Sequence, residues 1–457
     1  MPGRIQSSFR DPSGQVFDRE GVICRTINAS YQEHWEHLQS SGLLPALVQK
    51  EMVVPFRETA PLPGSWKSVN VERIPAISYP YEWSFPQLRD AALLTLAIQR
   101  EALQAGMTLK DSSAYNVQFL GSKPVFIDPL SFEKRPPDAP WQAYRQFCMH
   151  FLAPLALFSG DPRLGRLSRL WIDGVPLDLA WSMLSWKSAF SPGLQMHLHL
   201  HAKAEQKYND ARKAAGKVGK ARISTRALLD LTDSLIRTVR GLKNPAAPGE
   251  WTEYYTDTNY STAAEDEKKR LVREAVRNRA GKLALDLGAN TGKYSELLAP
   301  FFEQVVAADI DPQAVGRLYE AQSKTAGSRI LPLVQDLGNP SPAIGWACIE
   351  RDSWMQRWQA DCVCALALTH HIFFSNGIPW PEQAVFFARQ LKAGGLLVME
   401  FVPREDSQVQ RLLAARDDVF PDYTLEGCCL AFAELFQIQQ TLPIADSPRR
   451  LLLLEKR

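Results

Sequence analysis

The pattern of apolar and polar positions changes near residue 250. Beyond that point, five nearly continuous apolar runs alternate with stretches of helical spacing: KLALDLG, QVVAADI, ILPLVQD, ADCVCALAL and GGLLVMEFV. Strands that are apolar on both faces are typical of a parallel sheet covered by helices on both sides. The pattern therefore predicts a doubly wound α/β domain over residues 251–457.

The first half of the chain mixes short strands with helices. The stretch GQVFDREGVICRTI predicts a hairpin with its turn at Asp18–Gly21. Apolar residues at helical spacing predict a helix over Pro86–Leu103. The segment NPAAPG, Asn244–Gly249, has the composition of a linker. We therefore expect an α+β domain over 1–245, helical in its later part, followed by the domain over 251–457.

Composition and charge exclude several classes of protein. The chain of 457 residues is 45% hydrophobic and 22% charged, as ordinary globular proteins are, and its net charge of +2 gives no general reason to expect nucleic acid as a partner. The N-terminus lacks a secretory signal, and the longest apolar run, around Phe151–Phe158, is too short for a membrane span. The seven cysteines lack metal-ligand spacing. Reduced thiols, a cytoplasmic location and no metal site are expected.

A glycine-rich stretch, LALDLGANTGKYSELL, joins the first apolar run to a helix. Gly288 and Gly292 are too close together for a phosphate-binding Walker loop, and Tyr294 stands where that loop needs a hydroxyl for Mg²⁺. Asn290 replaces the second glycine of the dinucleotide-binding fingerprint. What remains is Asp286 at a strand end, followed by a glycine turn that lets the backbone approach a ligand closely.

Two more acids follow at the ends of the next apolar runs. Asp309, with Asp311 as the alternative, lies about 20 residues on, where a carboxylate can accept hydrogen bonds from ribose hydroxyls. Asp336 and Leu337 end the third run. These ordered strand ends resemble class I S-adenosylmethionine-dependent methyltransferases. The resemblance implies a Rossmann-like, seven-stranded sheet in which the Gly288 loop holds the methionine part of S-adenosylmethionine, Asp309 the ribose, and Asp336 with Leu337 the adenine.

The same resemblance suggests where an acceptor would react. The pair His370–His371 follows the fourth run, at the edge of the sheet where ligands bind. The amino-methylation motif of the family is missing, and a histidine can take the proton of a hydroxyl. We therefore expect His370 or His371 to be the base, the other being structural, with Glu400 and Asp406 as helpers. Family members often close an upstream aromatic residue over the cofactor, which suggests Tyr260 or Tyr255.

A second resemblance lies near the N-terminus. The stretch TLKDSSAYNVQFLGSKPVFIDPLSFE resembles the catalytic segment of kinase-like phosphotransferases. Asp111 and Asn116 keep the spacing of the catalytic loop, and Asp128 follows an apolar strand as the metal-binding acid does. Leu109–Lys110 and Pro129–Leu130 depart from the family pattern. The resemblance implies a kinase-like α+β domain without phosphotransfer, which binds or presents the substrate. An ATP-dependent small-molecule kinase with a regulatory methyltransferase-like domain is the alternative.

Over most of its length the chain resembles the nodulation protein NoeA-like methyltransferases, through segments such as RDPSGQVF, SYPYEWSF, FIDPLSF, DLGANTGKYS, ALALTHH and EFVPREDSQVQ. The implied activity is S-adenosylmethionine-dependent methylation of an oxygen on a small-molecule or saccharide-type acceptor. A non-catalytic scaffold whose two nucleotide-type folds only sense ligands is a third hypothesis. The family name leaves the acceptor open.

Three other patterns favour ordinary structural roles. His197 and His201 would share a helix face, but no third metal ligand is near them, so a polar helix face is favoured over a metal site. Residues 202–249 contain eleven Lys or Arg and four acids, which favours a solvated helix face over a phosphate-binding one. The long connection Asn339–Trp358 carries tryptophans that serve either a substrate pocket or packing.

Overall fold

The structure is a computed structural model, and it describes residues 3–201, 203, 222–244, 261–414 and 420–457. The chain divides into two compact units. Unit 1 comprises Met1–Ala246 and Ala343–Arg351, and unit 2 comprises Ala247–Pro342 and Asp352–Arg457. The division falls inside the segment Asn244–Gly249, whereas the membership of Ala343–Arg351 in unit 1 was not expected from the sequence.

Unit 1 begins with an antiparallel sheet in the order β1-β2-β3-β5-β4. Its strands are β1 (Gly3–Arg4), β2 (Val16–Arg19), β3 (Val22–Ile27), β4 (Phe56–Thr59) and β5 (Lys67–Val71). The predicted hairpin is confirmed, because β2 pairs with β3 around Glu20 and Gly21, whose φ angles of 54° and 91° give the twist that a tight hairpin turn needs. Two helices separate β3 from β4, namely α1 (Gln32–Ser40) and α2 (Leu43–Gln49).

A long helix and two short ladders follow. The predicted helix is confirmed as α3 (Phe85–Gln104), which starts with a capping box between Ser84 and Gln87. The ladders pair β6 (Met107–Leu109) with β9 (Phe132–Lys134) and β7 (Val117–Leu120) with β8 (Lys123–Phe126). Because both ladders are antiparallel and adjacent in the chain, the loop after β6 and the loop after β8 meet.

The later part of unit 1 is helical where the structure describes it. Its α-helices are α4 (Tyr144–Phe147), α5 (Ala153–Gly160), α6 (Leu177–Met183), α7 (Pro192–Leu194) and α8 (Thr225–Gly241). Cys148–Leu152 and Gln195–Leu200 are π-helical. Turns of 3₁₀-helix cover Gln6–Ser8, Ala29–Tyr31, Pro80–Glu82, Ala114–Asn116, Pro162–Leu170, Trp186–Phe190 and Trp346–Cys348.

Unit 2 contains a seven-stranded sheet in the order β12-β11-β10-β13-β14-β16-β15. The strands are β10 (Gly281–Leu287), β11 (Phe302–Asp309), β12 (Ile330–Val334), β13 (Ala360–Ala365), β14 (Leu391–Phe401), β15 (Phe436–Pro443) and β16 (Arg450–Lys456). The first five are parallel, and β16 is antiparallel to both of its neighbours. The strand order reverses next to β10, which is where open α/β sheets bind ligands.

Helices connect these strands and bury their apolar faces against the sheet. They are α9 (Thr262–Val276), α10 (Lys293–Leu298), α11 (Pro312–Gln322), α12 (Trp354–Arg357), α13 (Thr369–Asn376), α14 (Trp380–Gln390), α15 (Ser407–Leu413) and α16 (Leu425–Ala433). One core cluster joins α9, α10 and α11 to β10, β11 and β13. The doubly wound α/β fold predicted from the five apolar runs is thus confirmed. In the described part of the chain, no helix has both the length and the apolar character that crossing a bilayer requires.

Candidate functional site

The glycine loop after β10 has a backbone that only particular residues tolerate. Gly288, Asn290 and Gly292 have φ angles of 75°, 49° and 85°, all in the left-handed region. A Cβ on Gly292 would lie 2.3 Å from Cδ1 of Leu318 on α11, so any other residue there would force the Leu318 side chain to move. The N–H groups of Gly288 and Ala289 donate to the carbonyl of Ala308, which ties the loop to β11.

Asp286 lies at the end of β10, buried beneath this loop. Its Oδ2 accepts a hydrogen bond of 2.6 Å from the hydroxyl of Ser295 on α10. Burial, together with a smaller effect of the nearby Asp309 carboxylate, raises the pKa of Asp286 to about 6. Ser295 is therefore a partner of the site that the sequence analysis missed.

Asp309 ends β11 and supports the loop from the other side. Its Oδ2 accepts the N–H of Asn290 at 2.8 Å, and its Oδ1 accepts the N–H of Asp311 at 2.9 Å. Burial raises the pKa of Asp309 to about 6. Within the described residues no ion pair reaches Asp309, and its carboxylate has more acceptor positions than the two hydrogen bonds above occupy. Asp311 instead caps α11, because its Oδ1 accepts the N–H of Gln313 at 2.8 Å.

The end of β12 lies at the same edge of the unit 2 sheet. The N–H of Gln335 donates to the carbonyl of Asp309 at 2.7 Å, which places the end of β12 beside that of β11. Asp336 Oδ1 accepts the N–H of Gly338 at 3.0 Å, and Leu337 lies between them. The ends of β10, β11 and β12 therefore bring Asp286, Asp309 and Asp336 to one edge of the sheet, as parallel strands do.

The two histidines lie in the first turn of α13, beyond the end of β13. His370 is fully buried, and neither ring nitrogen has a hydrogen-bond partner among the described residues. Burial lowers the pKa of His370 well below its usual value. His371 is partly exposed, and burial together with the positive charge of Arg449 lowers its pKa to about 4. Both rings are therefore neutral at pH 7, with their centroids 4.1 Å apart.

A buried ion network lies next to the histidines. Glu400 on β14 accepts hydrogen bonds from Lys268 Nζ at 2.5 Å and from Arg449 Nη1 at 3.4 Å. Arg449 also pairs with Asp406, at 2.7 Å from Nε to Oδ2 and 3.1 Å from Nη2 to Oδ1. None of the four side chains is more than 4% exposed. Glu400 and Asp406 are thus placed close to His371 through Arg449, and each is held by a cation.

The sequence contains a signal for only part of this network. Lys268 follows Ala264 by four residues and precedes Leu271 and Val272, so it occupies the apolar face of a helix that otherwise carries its charges outward. A lysine at such a position needs a buried partner. Arg449 gave no comparable signal, because its partners come from β14 and from the cap of α15.

In unit 1, the structure brings together the residues of the kinase-like segment. Nη2 of Arg25 on β3 lies 2.5 Å from Oδ2 of Asp11 and 3.0 Å from Oδ1 of Asp128. The Ser131 hydroxyl donates to Oδ2 of Asp128 at 2.7 Å and accepts from Nδ2 of Asn116 at 3.1 Å. Arg25, Asp11 and Ser131 were not identified from the sequence.

Asp111, Lys110 and Gly14 are also part of this cluster. Burial raises the pKa of Asp111, although a hydrogen bond from Asn116 acts in the opposite direction. Lys110 donates to the Ser13 hydroxyl at 2.5 Å. A Cβ on Gly14 would lie 1.9 Å from the carbonyl oxygen of Thr26, so the Asp11–Gly14 loop rests directly on β3.

The remaining predicted residues either lie outside the described residues or have positions typical of structural residues. Tyr255 and Tyr260 lie outside the residues that the structure describes. His197 is buried, with Nδ1 2.8 Å from the Tyr144 hydroxyl and Nε2 3.0 Å from the Ser234 hydroxyl. The described residues include no group of three or more His, Cys, Asp or Glu that could hold a metal ion. Trp354 and Trp358 of the long connection are buried, whereas Trp346 is exposed.

Comparisons with known proteins identify a full-length relative. The chain is 33% identical over 465 residues to the nodulation protein NoeA of Rhizobium meliloti (strain 1021), an alignment that covers all of this chain and 96% of that protein. No family model matches the chain.

Among solved structures, the chain shows a partial likeness to methyltransferases. The N-methyltransferase NodS from Bradyrhizobium japonicum WM9 is 15% identical, with a TM-score of 0.33, over 43% of this chain and 98% of that one. The magnesium protoporphyrin IX methyltransferase ChlM from Synechocystis PCC 6803 is 18% identical, with a TM-score of 0.32, over 45% and 92%. By its likeness to the full-length relative, the chain belongs to the NoeA family of nodulation proteins.

Proposed function

We propose that unit 2 binds S-adenosylmethionine and transfers its methyl group to an oxygen of an acceptor. The observation that carries this proposal is the convergence of Asp286, Asp309 and Asp336 at one sheet edge around a left-handed glycine loop. Asp309 supports the proposal most directly, because it is buried, no ion pair reaches it among the described residues, and its carboxylate can accept a further hydrogen bond.

The residues present fit the chemistry of this cofactor. The loop Gly288–Gly292 presents its backbone in a left-handed turn, and its two glycines have no side chains to keep a ligand away from that backbone. We assign Asp309 to the ribose hydroxyls, and Asp336 with Leu337 to the adenine. Asp286 orders the start of α10 through Ser295 and places a carboxyl group beneath the loop, on the methionine side.

The bound cofactor supplies an electrophilic methyl group, so the chain mainly needs to orient the acceptor and remove a proton. We assign the role of base to His371, because it is partly exposed and its neutral ring carries one unprotonated nitrogen at pH 7. His370 is completely buried, so we assign it a positioning role through its ring contact with His371. We assign these two roles by the solvent exposure of each ring and not by its basicity.

Glu400 and Asp406 act on the site indirectly. Both hold Arg449, whose charge lowers the pKa of His371 and keeps that ring neutral. We therefore treat Glu400 as a positioning residue. The acceptor class that we propose remains a small molecule or a saccharide-type hydroxyl compound.

For unit 1 we propose a kinase-like fold that does not transfer phosphate. The likeness is supported by the position of Asp111 and Asn116 between β6 and β7 and of Asp128 just after β8. In a phosphotransferase Asn116 and Asp128 would share a metal ion. Here the Ser131 hydroxyl joins them, and Arg25 already neutralises Asp128. An active kinase would require the contacts of Ser131 and Arg25 with these residues to break.

Calorimetric titration of the full-length protein with S-adenosylmethionine, and separately with Mg-ATP, tests both statements. We expect micromolar binding of S-adenosylmethionine that Asp309→Ala abolishes. Asp311→Ala is the matched control, because it removes the neighbouring acid, a helix cap, and should keep binding at a stability cost of about 1 kcal/mol. Absence of binding in the wild type, or an equal loss in both variants, would contradict the cofactor assignment. Mg-ATP binding that Asp128→Ala removes would support the kinase alternative instead.

A further inference from the structure

Three polar side chains of unit 1, those of Tyr115, His150 and Arg351, lie close together and are named here the donor cluster. The guanidinium carbon of Arg351 lies 4.3 Å from the centroid of the Tyr115 ring. The His150 ring is edge-to-face to the same ring, with a centroid distance of 6.0 Å. Burial and the positive charge of Arg351 lower the pKa of His150 to about 4, so the imidazole is neutral at pH 7 and lies within reach of that charge.

Most polar atoms of the donor cluster make no hydrogen bond within the described part of the chain. His150 is only 7% exposed, yet neither of its ring nitrogens has a hydrogen-bond partner there. The Tyr115 hydroxyl has none either. The Arg351 guanidinium donates only through Nη1, to the carbonyl of Glu350 at 2.8 Å, and no described carboxylate forms an ion pair with it. Buried polar groups are normally satisfied, so a group that completes these hydrogen bonds is expected here.

The backbone around His150 has a geometry that is common at functional sites. His150 lies in the π-helical turn Cys148–Leu152, and single π-helical turns occur frequently where proteins bind ligands. Gly174 packs directly on this turn with a left-handed φ of 94°. A Cβ on Gly174 would lie 2.7 Å from Cβ of Met149 and 3.1 Å from Cδ2 of the His150 ring. The position of the imidazole is therefore fixed from two sides.

Arg351 reaches Tyr115 from a strained loop. Ile344 and Arg351 exchange two backbone hydrogen bonds, of 3.0 and 3.2 Å, which close the loop at its base. Within the loop, Ala347 and Cys348 both have left-handed φ angles, of 52° and 58°, which are unfavourable for residues with a side chain. Strain of this kind persists where the surrounding structure holds the residues in place, and it is frequent at ligand-binding loops.

The chemistry of the donor cluster suits an oxyanion. A guanidinium binds carboxylate and phosphate oxygens through parallel hydrogen bonds, and an imidazole N–H and a phenol hydroxyl can donate to the same group. The carboxylates whose charges act on this cluster leave Arg351 available. Glu350 is paired with Arg10 at 2.5 Å, and Asp173 is exposed to solvent, which screens its charge. A cationic ligand would instead be repelled by Arg351.

We propose that Tyr115, His150 and Arg351 form a binding site in unit 1 for an oxyanion, the carboxylate or phosphate group of a ligand. Arg351 supplies the positive charge and two parallel N–H donors, and the other two side chains each supply one donor. The site uses neither Asp128 of the kinase-like segment nor any residue of unit 2, so it is independent of the cofactor assignment.

Equilibrium dialysis of the full-length protein against radiolabelled inorganic phosphate, and separately against radiolabelled malonate, tests this proposal. We expect saturable binding of at least one of the two anions. Arg351→Gln should weaken that binding at least about tenfold, because it removes a charge-assisted pair of hydrogen bonds. Arg73→Gln is the matched control, since Arg73 is an exposed cation of unit 1 that pairs with Asp18, and its loss should leave anion binding unchanged.

Two conservative variants separate binding from folding. Tyr115→Phe keeps the ring beneath Arg351 and should weaken binding about threefold through the lost hydroxyl. Arg351→Lys keeps the charge but not the planar fork, so its affinity should lie between those of Arg351→Gln and the wild type. Both variants test the site even if Arg351→Gln unfolds, which circular dichroism would reveal.

The relative affinities of the two anions identify the ligand group. Tighter binding of phosphate would assign a phosphate group, tighter binding of malonate would assign a carboxylate, and equal binding would support a site for either oxyanion. The proposal is overturned if the wild type binds neither anion, if folded Arg351→Gln binds as the wild type does, or if Arg73→Gln weakens binding as much as Arg351→Gln.

Discussion

The two units each gather acids at a turn after a strand, but they neutralise them differently. In unit 2, Asp309 accepts only backbone N–H groups and has no cation beside it within the described residues. In unit 1, Asp128 accepts a backbone N–H, a serine hydroxyl and the Arg25 guanidinium. Burial raises the pKa of Asp309, and among the described residues no ion pair offsets that loss of solvent.

This difference indicates which cluster is prepared for a ligand. A buried carboxyl group with unused lone pairs and a raised pKa gains from a new hydrogen-bond donor. A carboxylate that its own chain has already satisfied gains little from one. By this criterion we expect the ligand site in unit 2 around Asp309, and we expect Asp128 of unit 1 to stabilise the fold. The same criterion separates Asp309 from Glu400 within unit 2, because Glu400 is held by Lys268 and Arg449.

The largest effect is expected where a buried acid depends on a cation. Lys268→Met removes the shorter of the two cation contacts of Glu400, and removing one partner of a buried ion pair costs about 3–4 kcal/mol of unfolding free energy. Urea denaturation followed by circular dichroism measures this change. Lys269→Met is the matched control, since the adjacent lysine makes only surface pairs and should cost less than about 0.5 kcal/mol. Equal losses in the two variants would show that Glu400 does not need its cation.

The corresponding change in unit 1 is Arg25→Met, which leaves Asp11 and Asp128 facing each other without a cation. We expect a loss of about 2–3 kcal/mol, part of which Mn²⁺ should restore by binding between the two carboxylates. Thermal unfolding with and without Mn²⁺ measures both effects, and the wild type should not respond to the ion. Arg73→Met, which breaks the exposed pair with Asp18, serves as the control. If Mn²⁺ stabilises the wild type as well, the unit 1 cluster is a metal site rather than a closed one.

The sequence predicted the parts of the site that local chemistry determines. Gly288, Gly292 and the acids at the strand ends follow from the order of apolar runs and turn residues, because each lies on the strand that positions it. The partners that decide their roles come from distant elements. Arg449 reaches Glu400 and Asp406 only because β16 inserts beside β14, and Arg25 reaches Asp128 only because the sheet of unit 1 folds over the later loops. Pairings of this kind have no periodic signal in a single sequence.

A smaller effect should separate backbone strain from close packing at the glycine loop. Gly292 and Gly327 both have left-handed φ angles, of 85° and 66°, but only Gly292 lacks space for a Cβ. Gly327→Ala should therefore cost about 1 kcal/mol from conformation alone, and Gly292→Ala about 2 kcal/mol, because Leu318 must move. Only the second substitution should weaken S-adenosylmethionine binding, as measured by calorimetry. Equal binding by the two variants would argue against the loop as the cofactor cradle.

The smallest effect concerns the proton on Asp309. Its pKa is raised to about 6 in the free protein, and donation from ribose hydroxyls to the ionised carboxylate should lower that pKa in the complex. Because the complex then binds fewer protons than the free protein, affinity should rise with pH up to about 6 and level off above it. Binding at pH 5 should be weaker than at pH 7 by about tenfold, because the ionised fraction of a carboxyl with this pKa is about ten times smaller at pH 5.

Calorimetry in buffers of different ionisation enthalpy would detect the proton that is released between pH 5 and pH 6. Asp309→Asn cannot titrate, so it should bind weakly at every pH without this dependence. The pKa of Asp286 is also raised, but its Oδ2 accepts the hydrogen bond from Ser295. If Asp309 is the titrating group, the pH dependence of binding should therefore persist in Ser295→Ala. A pH dependence that persists in Asp309→Asn would identify Asp286 as the titrating group, and the ligand site would then be centred on Asp286. A flat profile in the wild type would mean that no buried carboxyl group of this edge meets the cofactor.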